Sequence, residues 1–94
     1  MVGTYSYMAD AAIFKECVTG KSYPVAFEED SISLERAYLK AKRVAGEPLK
    51  VHLDAEIVYR EGVDNQGLLE TLIVKRFIKI TPKESCKNSL KKKN

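Results

Sequence analysis

The residues best suited to chemistry in this chain are two cysteines, Cys17 and Cys86, and a single histidine, His52. A zinc site takes about four ligands, and these three side chains lie far apart in the sequence. The cysteines are also too widely spaced for a thioredoxin-type redox pair. We therefore expect no metal and no cofactor. A structural disulfide is the interpretation we favour for the cysteines, and two reduced thiols are the alternative.

The surroundings of His52 do not resemble a catalytic centre. Nucleophilic catalysis requires a nucleophile beside a base, whereas His52 alternates with Lys50, Asp54 and Glu56 on the polar side of a strand pattern. The sequence also contains no phosphate-binding loop and no dinucleotide-binding motif. We expect no catalytic residue and no enzymatic activity. Copper carriage by Met8, His52 and the cysteines is a further hypothesis.

The tyrosines offer another kind of chemistry, because aromatic rings on a β-barrel can stack against bases or sugars. They are Tyr5, Tyr7, Tyr23, Tyr38 and Tyr59. The alternative is that most of these rings fill the core and direct their hydroxyl groups to its rim. Tyr38 and Tyr59 follow apolar stripes, which favours this alternative. We take the following residues as the candidate binding surface: Tyr5, Tyr7, His52 and Arg60.

The charge of the chain is concentrated at its C-terminal end. The formal net charge is +3, but residues 82–94 carry +4 and the remaining residues carry −1. Nucleic-acid-binding domains usually place positive charge on a folded face, so we expect no nucleic-acid partner. No apolar stretch is long enough to cross a membrane, and the first residues lack a signal-peptide pattern. A chain of 94 residues has the length of one domain, and we expect a monomer.

The first half of the chain predicts short strands and then a helix. Residues 3–17 fit one bent strand or two short ones, with small residues at a break over 8–12, and a turn and a strand at 23–27 follow. An apolar stripe then predicts a helix from about 32 to 45. Its members are Leu34, Ala37, Tyr38, Ala41 and Ala45. Gly46 and Pro48 are suited to end this helix.

The second half predicts two long strands. Strict alternation from Leu49 to Tyr59 places one face in the core and the other, with Lys50 and His52, in water. A loop at 60–67 and a last strand at 68–80 follow. With the first strand divided in two, the order is that of a five-stranded OB-fold barrel with one helix between the third and fourth strands. We assign residues 1–86 to this mainly β domain and 87–94 to a disordered basic tail.

Three segments also carry recognisable motifs. The first combines Tyr-Met-Ala-Asp-Ala-Ala at 7–12 with Phe14, Cys17 and Thr-Gly-Lys at 19–21. The second is Leu-Glu-Arg-Ala-Tyr-Leu at 34–39 with Ala41, and the third is a lone cysteine after the last strand, Cys86. Together they resemble the C-terminal domain of the NlpE family of bacterial outer-membrane lipoproteins, also called copper homeostasis protein CutF. Residues 47–80 match this family mainly by pattern.

The resemblance implies a periplasmic OB-fold barrel closed by a Cys17–Cys86 disulfide. It also implies a non-catalytic interaction and sensing role in Cpx-type envelope stress signalling and in copper homeostasis. The implied partner is an envelope protein, with the periplasmic domain of a sensor kinase as the candidate. The implied location is the cell envelope, at the periplasmic face of the outer membrane. An oligonucleotide- or oligosaccharide-binding OB-fold module is the alternative function.

Two features of that family have no counterpart in these 94 residues. They are the N-terminal barrel with its Cys-x-x-Cys motif and the cysteine that carries the lipid. We therefore expect membrane attachment only through an N-terminal lipid anchor beyond this sequence. Copper binding is carried over to no residue.

Overall fold

The computed structural model describes residues 1–61 and 67–86, which form five strands and one helix. The strands are β1 (Val2–Met8), β2 (Ala11–Glu16), β3 (Ser22–Pro24), β4 (Leu49–Glu61) and β5 (Leu68–Thr81), and the helix α1 (Ser31–Ala41) lies between β3 and β4. The mainly β fold class and the position of the helix in the strand order are confirmed. The predicted tail at 87–94 and the middle of the predicted loop at 60–67 lie outside the described residues.

The predicted break in the first long strand is a tight hairpin turn. Met8 pairs with Ala11 across it, and the two residues between them, Ala9 and Asp10, have φ angles of +53° and +63°. Two successive residues with positive φ are typical of the type I′ turn, whose twist matches that of antiparallel strands. Residues 2–16 therefore form two paired strands rather than one bent strand.

All five strands belong to one sheet, in the order β3-β2-β1-β4-β5. Its two edges meet where Val25 forms a parallel bridge with Leu72 and the Ala26 N–H donates to the Leu72 carbonyl at 3.0 Å. The sheet is therefore curled in the manner of an OB-fold. Among the described residues, an isolated bridge and not a continuous ladder joins the two edges of the sheet.

The core fills the inside of this curled sheet, beneath α1. Its fully buried side chains include Phe14 of β2, Leu34 of the helix and Leu53 of β4. Gly3 makes room for Phe14, because a Cβ atom at Gly3 would lie 2.5 Å from the Cζ atom of that ring. One core thus connects the helix with strands from both halves of the chain.

Helix α1 is shorter than predicted, because it ends at Ala41 rather than near residue 45. Lys42 adopts an extended conformation, with ψ of 145°, after its N–H has donated to the Tyr38 carbonyl. The following residues form a turn in which Glu47 accepts hydrogen bonds from Tyr38 and Arg43, the shortest of them 2.7 Å long. Its carbonyl accepts the Tyr38 hydroxyl, and its carboxylate accepts the Arg43 N–H. Gly46, with φ of +75°, belongs to this turn.

Candidate functional site

Cys17 and Cys86 form a disulfide that joins the end of β2 to the segment after β5. Their Cα atoms are 5.0 Å apart, within the usual range for a disulfide. The Cys17 N–H also donates to the Val2 carbonyl at 3.0 Å, which fixes this position against β1. The two cysteines are 69 positions apart, so the chain-entropy model assigns the bond about 4 kcal/mol of stability.

Lys50 makes a second connection to the same C-terminal segment. We predicted that its side chain would face water, but only 2% of the residue is exposed. Its ammonium group lies 3.0 Å from Oε1 of Glu84, between β5 and Cys86. The prediction was wrong because the segment with Glu84 covers this part of β4, which strand periodicity cannot reveal.

His52 lies in the same region and is partly buried. Its Nε2 atom is buried and has no hydrogen-bond partner within residues 1–61 and 67–86. Burial, followed by the positive charges of Lys79 and Lys50, lowers the pKa of the imidazole below its usual value of 6.5. Burial therefore favours the neutral form of the ring, and the side chain is less accessible than a residue of a binding surface should be. We call this region the closed end: Cys17, Cys86, Lys50, Glu84 and His52.

The two tyrosines of the predicted binding surface have different positions. Tyr5 is 1% exposed and makes an edge-to-face contact with Tyr38, with ring centroids 5.2 Å apart. Burial, and then the carboxylate of Glu35, raises the pKa of Tyr5. The assignment of Tyr5 to the surface was wrong, because the pleat of β1 points this ring into the core. Tyr7 is partly buried against Phe27, with ring centroids 6.0 Å apart.

Arg60 is exposed and contacts the loop before α1. This loop contains three consecutive acidic residues, Glu28, Glu29 and Asp30, which we call the acidic clasp. Glu28 pairs with Arg60 at 2.5 Å, and Glu29 pairs with Lys75 at 2.7 Å. Hydrogen bonding to Arg60 lowers the pKa of Glu28. The acidic clasp therefore attaches the loop before α1 to both strands of the β4–β5 hairpin.

The third member of the acidic clasp binds a main-chain group. Oδ2 of Asp30 accepts the Phe77 N–H at 2.7 Å, and Oδ1 accepts the Ser33 hydroxyl at 2.7 Å. These two hydrogen bonds, the first of them dominant, lower the pKa of Asp30. The Asp30 N–H donates to the Val74 carbonyl at 3.0 Å. The acidic clasp thus occupies the outer edge of β5 over residues 74–77, which would otherwise be open to another strand.

An open groove of about 880 Å³ lies between the end of β3 and the far half of the β4–β5 hairpin. Its apolar and aromatic lining consists of Pro24, Ala26, Phe27, Tyr59, Leu68 and Leu69. Three of these side chains are largely exposed: Phe27 at 58%, Tyr59 at 66% and Leu68 at 66%. Arg60, Glu61 and Thr71 add polar groups to the lining. Clustered exposed apolar residues of this kind mark interaction surfaces on folded proteins.

Arg60 is the one groove residue in the predicted binding surface. Tyr59 was favoured as a core residue because it follows the apolar stripe of β4, and that interpretation was wrong, since the residue is 66% exposed. Alternation along the predicted strand at 23–27 places Phe27 on the same face as Tyr23 and Val25, which are buried. It lies outside because the chain leaves β3 after Pro24 and hydrogen bonds through Ala26 to β5. The available signal was the adjacent pair Leu68 and Leu69, since apolar residues on both faces of a strand leave one of them exposed unless both faces are covered.

Residues 1–61 and 67–86 contain neither a metal-binding cluster nor a membrane-spanning helix. No group of three or more histidine, cysteine, aspartate or glutamate side chains there is arranged to hold a metal ion. The single helix described is too short and too polar to cross a bilayer.

The architecture can be compared with known proteins. A family model described as the NlpE C-terminal OB domain matches residues 1–87. The chain belongs to this family. A curated relative, Lipoprotein NlpE of Escherichia coli strain K12, is 32% identical over 84 residues. A solved structure described as the Cpx pathway activator NlpE from Escherichia coli has a TM-score of 0.75 and 31% sequence identity.

These NlpE relatives are much longer than this chain. The matched region covers 89% of this chain but 34% of the curated relative. The structural match covers 93% of this chain and 43% of the solved NlpE chain. The family and the OB-fold therefore apply to nearly all of this sequence, which corresponds to about a third of the curated NlpE protein.

Proposed function

We propose that this chain is a non-catalytic protein-interaction module that acts in envelope stress signalling. The observation that supports it most is the groove, in which Phe27, Tyr59 and Leu68 expose large apolar surfaces side by side. Aromatic residues are enriched at protein interfaces because they bury a large area at a small cost in side-chain entropy. The signalling role rests on likeness to a protein described as a Cpx pathway activator.

The partner in this proposal is an envelope protein, with the periplasmic domain of a sensor kinase as the candidate. The apolar lining suits an apolar or aromatic segment of that partner. The module acts as a monomer at the periplasmic face of the outer membrane, attached through an N-terminal lipid anchor beyond this sequence. The disulfide stabilises the module and is a candidate redox-sensitive element, since its reduction would release the C-terminal segment.

Copper homeostasis enters the proposal only as a consequence of signalling. Both cysteines are joined to each other, and His52 directs a buried Nε2 atom inward. The Met8 side chain lies beside Gly46, which belongs to the turn after the helix. Met8, His52 and the cysteines therefore do not form one ligand set. Copper titration of the oxidised protein is expected to reveal no tight site. A tight site abolished by His52→Gln would contradict this part of the proposal.

The alternative of an oligonucleotide-binding module has less support from the groove. The basic residues near it are already paired, because Arg60 binds Glu28 and Lys21 binds Glu70. Tyr5, one of the rings proposed for stacking, lies in the core. Salt-dependent binding of a single-stranded oligonucleotide that is lost in Tyr59→Thr would favour the alternative.

Site-specific photocrosslinking in cells tests the proposal directly. A photoreactive amino acid in place of Leu68 should capture an envelope protein, whereas the same group in place of Val18, also largely exposed, should not. The double variant Tyr59→Thr/Leu68→Thr should reduce the signalling output of a stress reporter. The control is Val18→Thr/Ile78→Thr, which changes two exposed apolar residues elsewhere. Equal capture at the two positions, or an unchanged reporter in the groove variant, would refute the assignment.

A further inference from the structure

The helix and the turn after it form one of two positively charged segments in the folded domain, in spite of the small net charge of the body. Residues 31–46 contain four basic residues and one carboxylate, a net charge of +3, whereas the rest of residues 1–81 carries −4. The basic residues are Arg36, Lys40, Lys42 and Arg43. Residues 75–81 also carry +3, from Lys75, Arg76 and Lys79, but Lys75 and Arg76 pair with carboxylates. The helix and the turn after it differ because most of their positive charge has no such partner among the described residues.

The helix presents this charge to solvent together with aliphatic side chains. Its buried stripe is Ser31, Leu34 and Tyr38. At 100° per residue, the opposite side consists of Ile32, Arg36, Leu39 and Lys40. All four are exposed, including 48% of Ile32 and 45% of Leu39. We call these four residues the basic helix face.

The basic residues of the helix and of the turn after it differ from four basic residues on and beside the sheet. Lys21, Arg60, Lys75 and Arg76 each pair with a carboxylate. Among the described residues, no carboxylate pairs with Arg36, Lys40 or Lys42. Arg43 pairs with Glu47, yet 81% of its side chain remains exposed. Lys83 lines the cleft beside Arg43 and adds a further positive charge next to the end of the helix.

We propose that the basic helix face docks on the surface of a bilayer that contains anionic phospholipid. Unpaired cations complement the negative headgroups, and Ile32 and Leu39 can enter the region between headgroups and acyl chains. A bilayer adapts to a convex helix, whereas a protein partner would need a groove of matching shape. An acidic protein is therefore the alternative occupant of this face. The inference does not depend on the groove or on the proposed signalling role.

Binding to vesicles tests the charge component. The oxidised full chain should bind vesicles of phosphatidylglycerol and phosphatidylcholine, and not vesicles of phosphatidylcholine alone. Each basic residue near an anionic surface contributes about fivefold in affinity, so Arg36→Gln/Lys40→Gln should weaken binding roughly 25-fold. The control Lys15→Gln/Lys79→Gln removes the same charge from exposed positions on β2 and β5. All variants keep the basic residues 87–94, so the attraction of these residues to the vesicles is the same in every protein compared.

The aliphatic component can be followed by fluorescence, because the sequence contains no tryptophan. Leu39→Trp should give an emission spectrum that shifts to the blue on addition of anionic vesicles. Val18→Trp, at a comparably exposed position, should show no shift. The groove variant Tyr59→Thr/Leu68→Thr should bind vesicles as the parent protein does, which separates this inference from the proposed function.

Three results would overturn the inference. They are equal loss of vesicle binding in the helix variant and the control, an unshifted Leu39→Trp spectrum in the presence of anionic vesicles, and binding to an acidic protein through this face without any binding to vesicles.

Discussion

The two ends of the β4–β5 hairpin are built in opposite ways. At the closed end, Cys86 is bonded to Cys17, and Glu84 reaches a lysine that is 2% exposed. At the other end, Tyr59 and Leu68 leave two thirds of their surface in water beside an open groove. The same two strands thus pass from a crosslinked, covered region to an uncovered apolar one.

This difference indicates how a small domain can tolerate apolar surface that it leaves uncovered. A domain of this size buries roughly 60–65% of the surface its unfolded chain exposes, so its core alone gives limited stability. A covalent crosslink at one end compensates for apolar groups left unburied at the other. We therefore expect substitutions at the closed end to alter stability and substitutions in the groove to alter binding.

The largest expected effect is loss of the disulfide. The variant Cys17→Ser/Cys86→Ser should lower the free energy of unfolding by about 4 kcal/mol, because the unfolded chain regains the entropy of a long loop. Urea titration of the oxidised, reduced and double-serine proteins measures this. Thiol alkylation followed by intact mass would verify the redox state of each sample. If the three unfolding curves coincide, the closed end does not depend on its crosslink and the comparison fails.

The next effect concerns the partner of the buried lysine. Glu84→Gln should cost about 1–3 kcal/mol, because a buried ammonium group loses the charge that compensates its desolvation. Lys50→Met should cost less, since it removes the charge and keeps an apolar stem of similar length. Chemical denaturation of both variants tests the order. Glu61→Gln, an exposed carboxylate at the groove end, is the control, and a cost equal to that of Glu84→Gln would contradict the distinction between the two ends.

Acidification should weaken the closed end through His52. Its folded-state pKa lies below the ordinary value of 6.5, so the unfolded chain binds the proton more readily. The contribution is fully present above pH 6.5 and is lost as the pH falls from there through the folded-state pKa. His52→Gln should remove this part of the pH dependence. Thermal melts between about pH 7.5 and 4.5, a range that spans the ordinary imidazole pKa, measure it. Identical pH profiles for the two proteins would show that folding does not lower the pKa of His52.

The smallest effect on stability is expected in the groove. Tyr59→Thr and Leu68→Thr should each change the free energy of unfolding by no more than about 0.5 kcal/mol, because the side chains are already largely hydrated. Threonine preserves the preference for strand conformation. Thermal melts of the two groove variants measure the change, with Ile78→Thr as the control. Losses of several kcal/mol would mean that the groove residues stabilise the fold and are not reserved for a partner.

The amino-acid sequence was sufficient for the local elements and their order. Small residues at 8–12 marked the β1–β2 turn, alternation marked β4, and the helical stripe at Leu34 and Tyr38 marked the buried side of α1. These patterns are local because side-chain direction repeats every two residues in a strand and every 3.6 in a helix. The OB-fold followed from their order, and the family motifs supported it.

What periodicity alone could not decide was which exposed positions another part of the chain would cover. Lys50 followed a polar pattern and became buried under the segment with Glu84, and Tyr5 turned from a surface candidate into a core residue. Phe27 and Leu68 followed apolar patterns and remained uncovered. Burial depends on contacts between residues distant in sequence, such as Lys50 with Glu84 and Ala26 with Leu72. The sequence by itself therefore determined the strands, the helix and their family, and only the tertiary structure decided which end is closed and which apolar surface stays exposed.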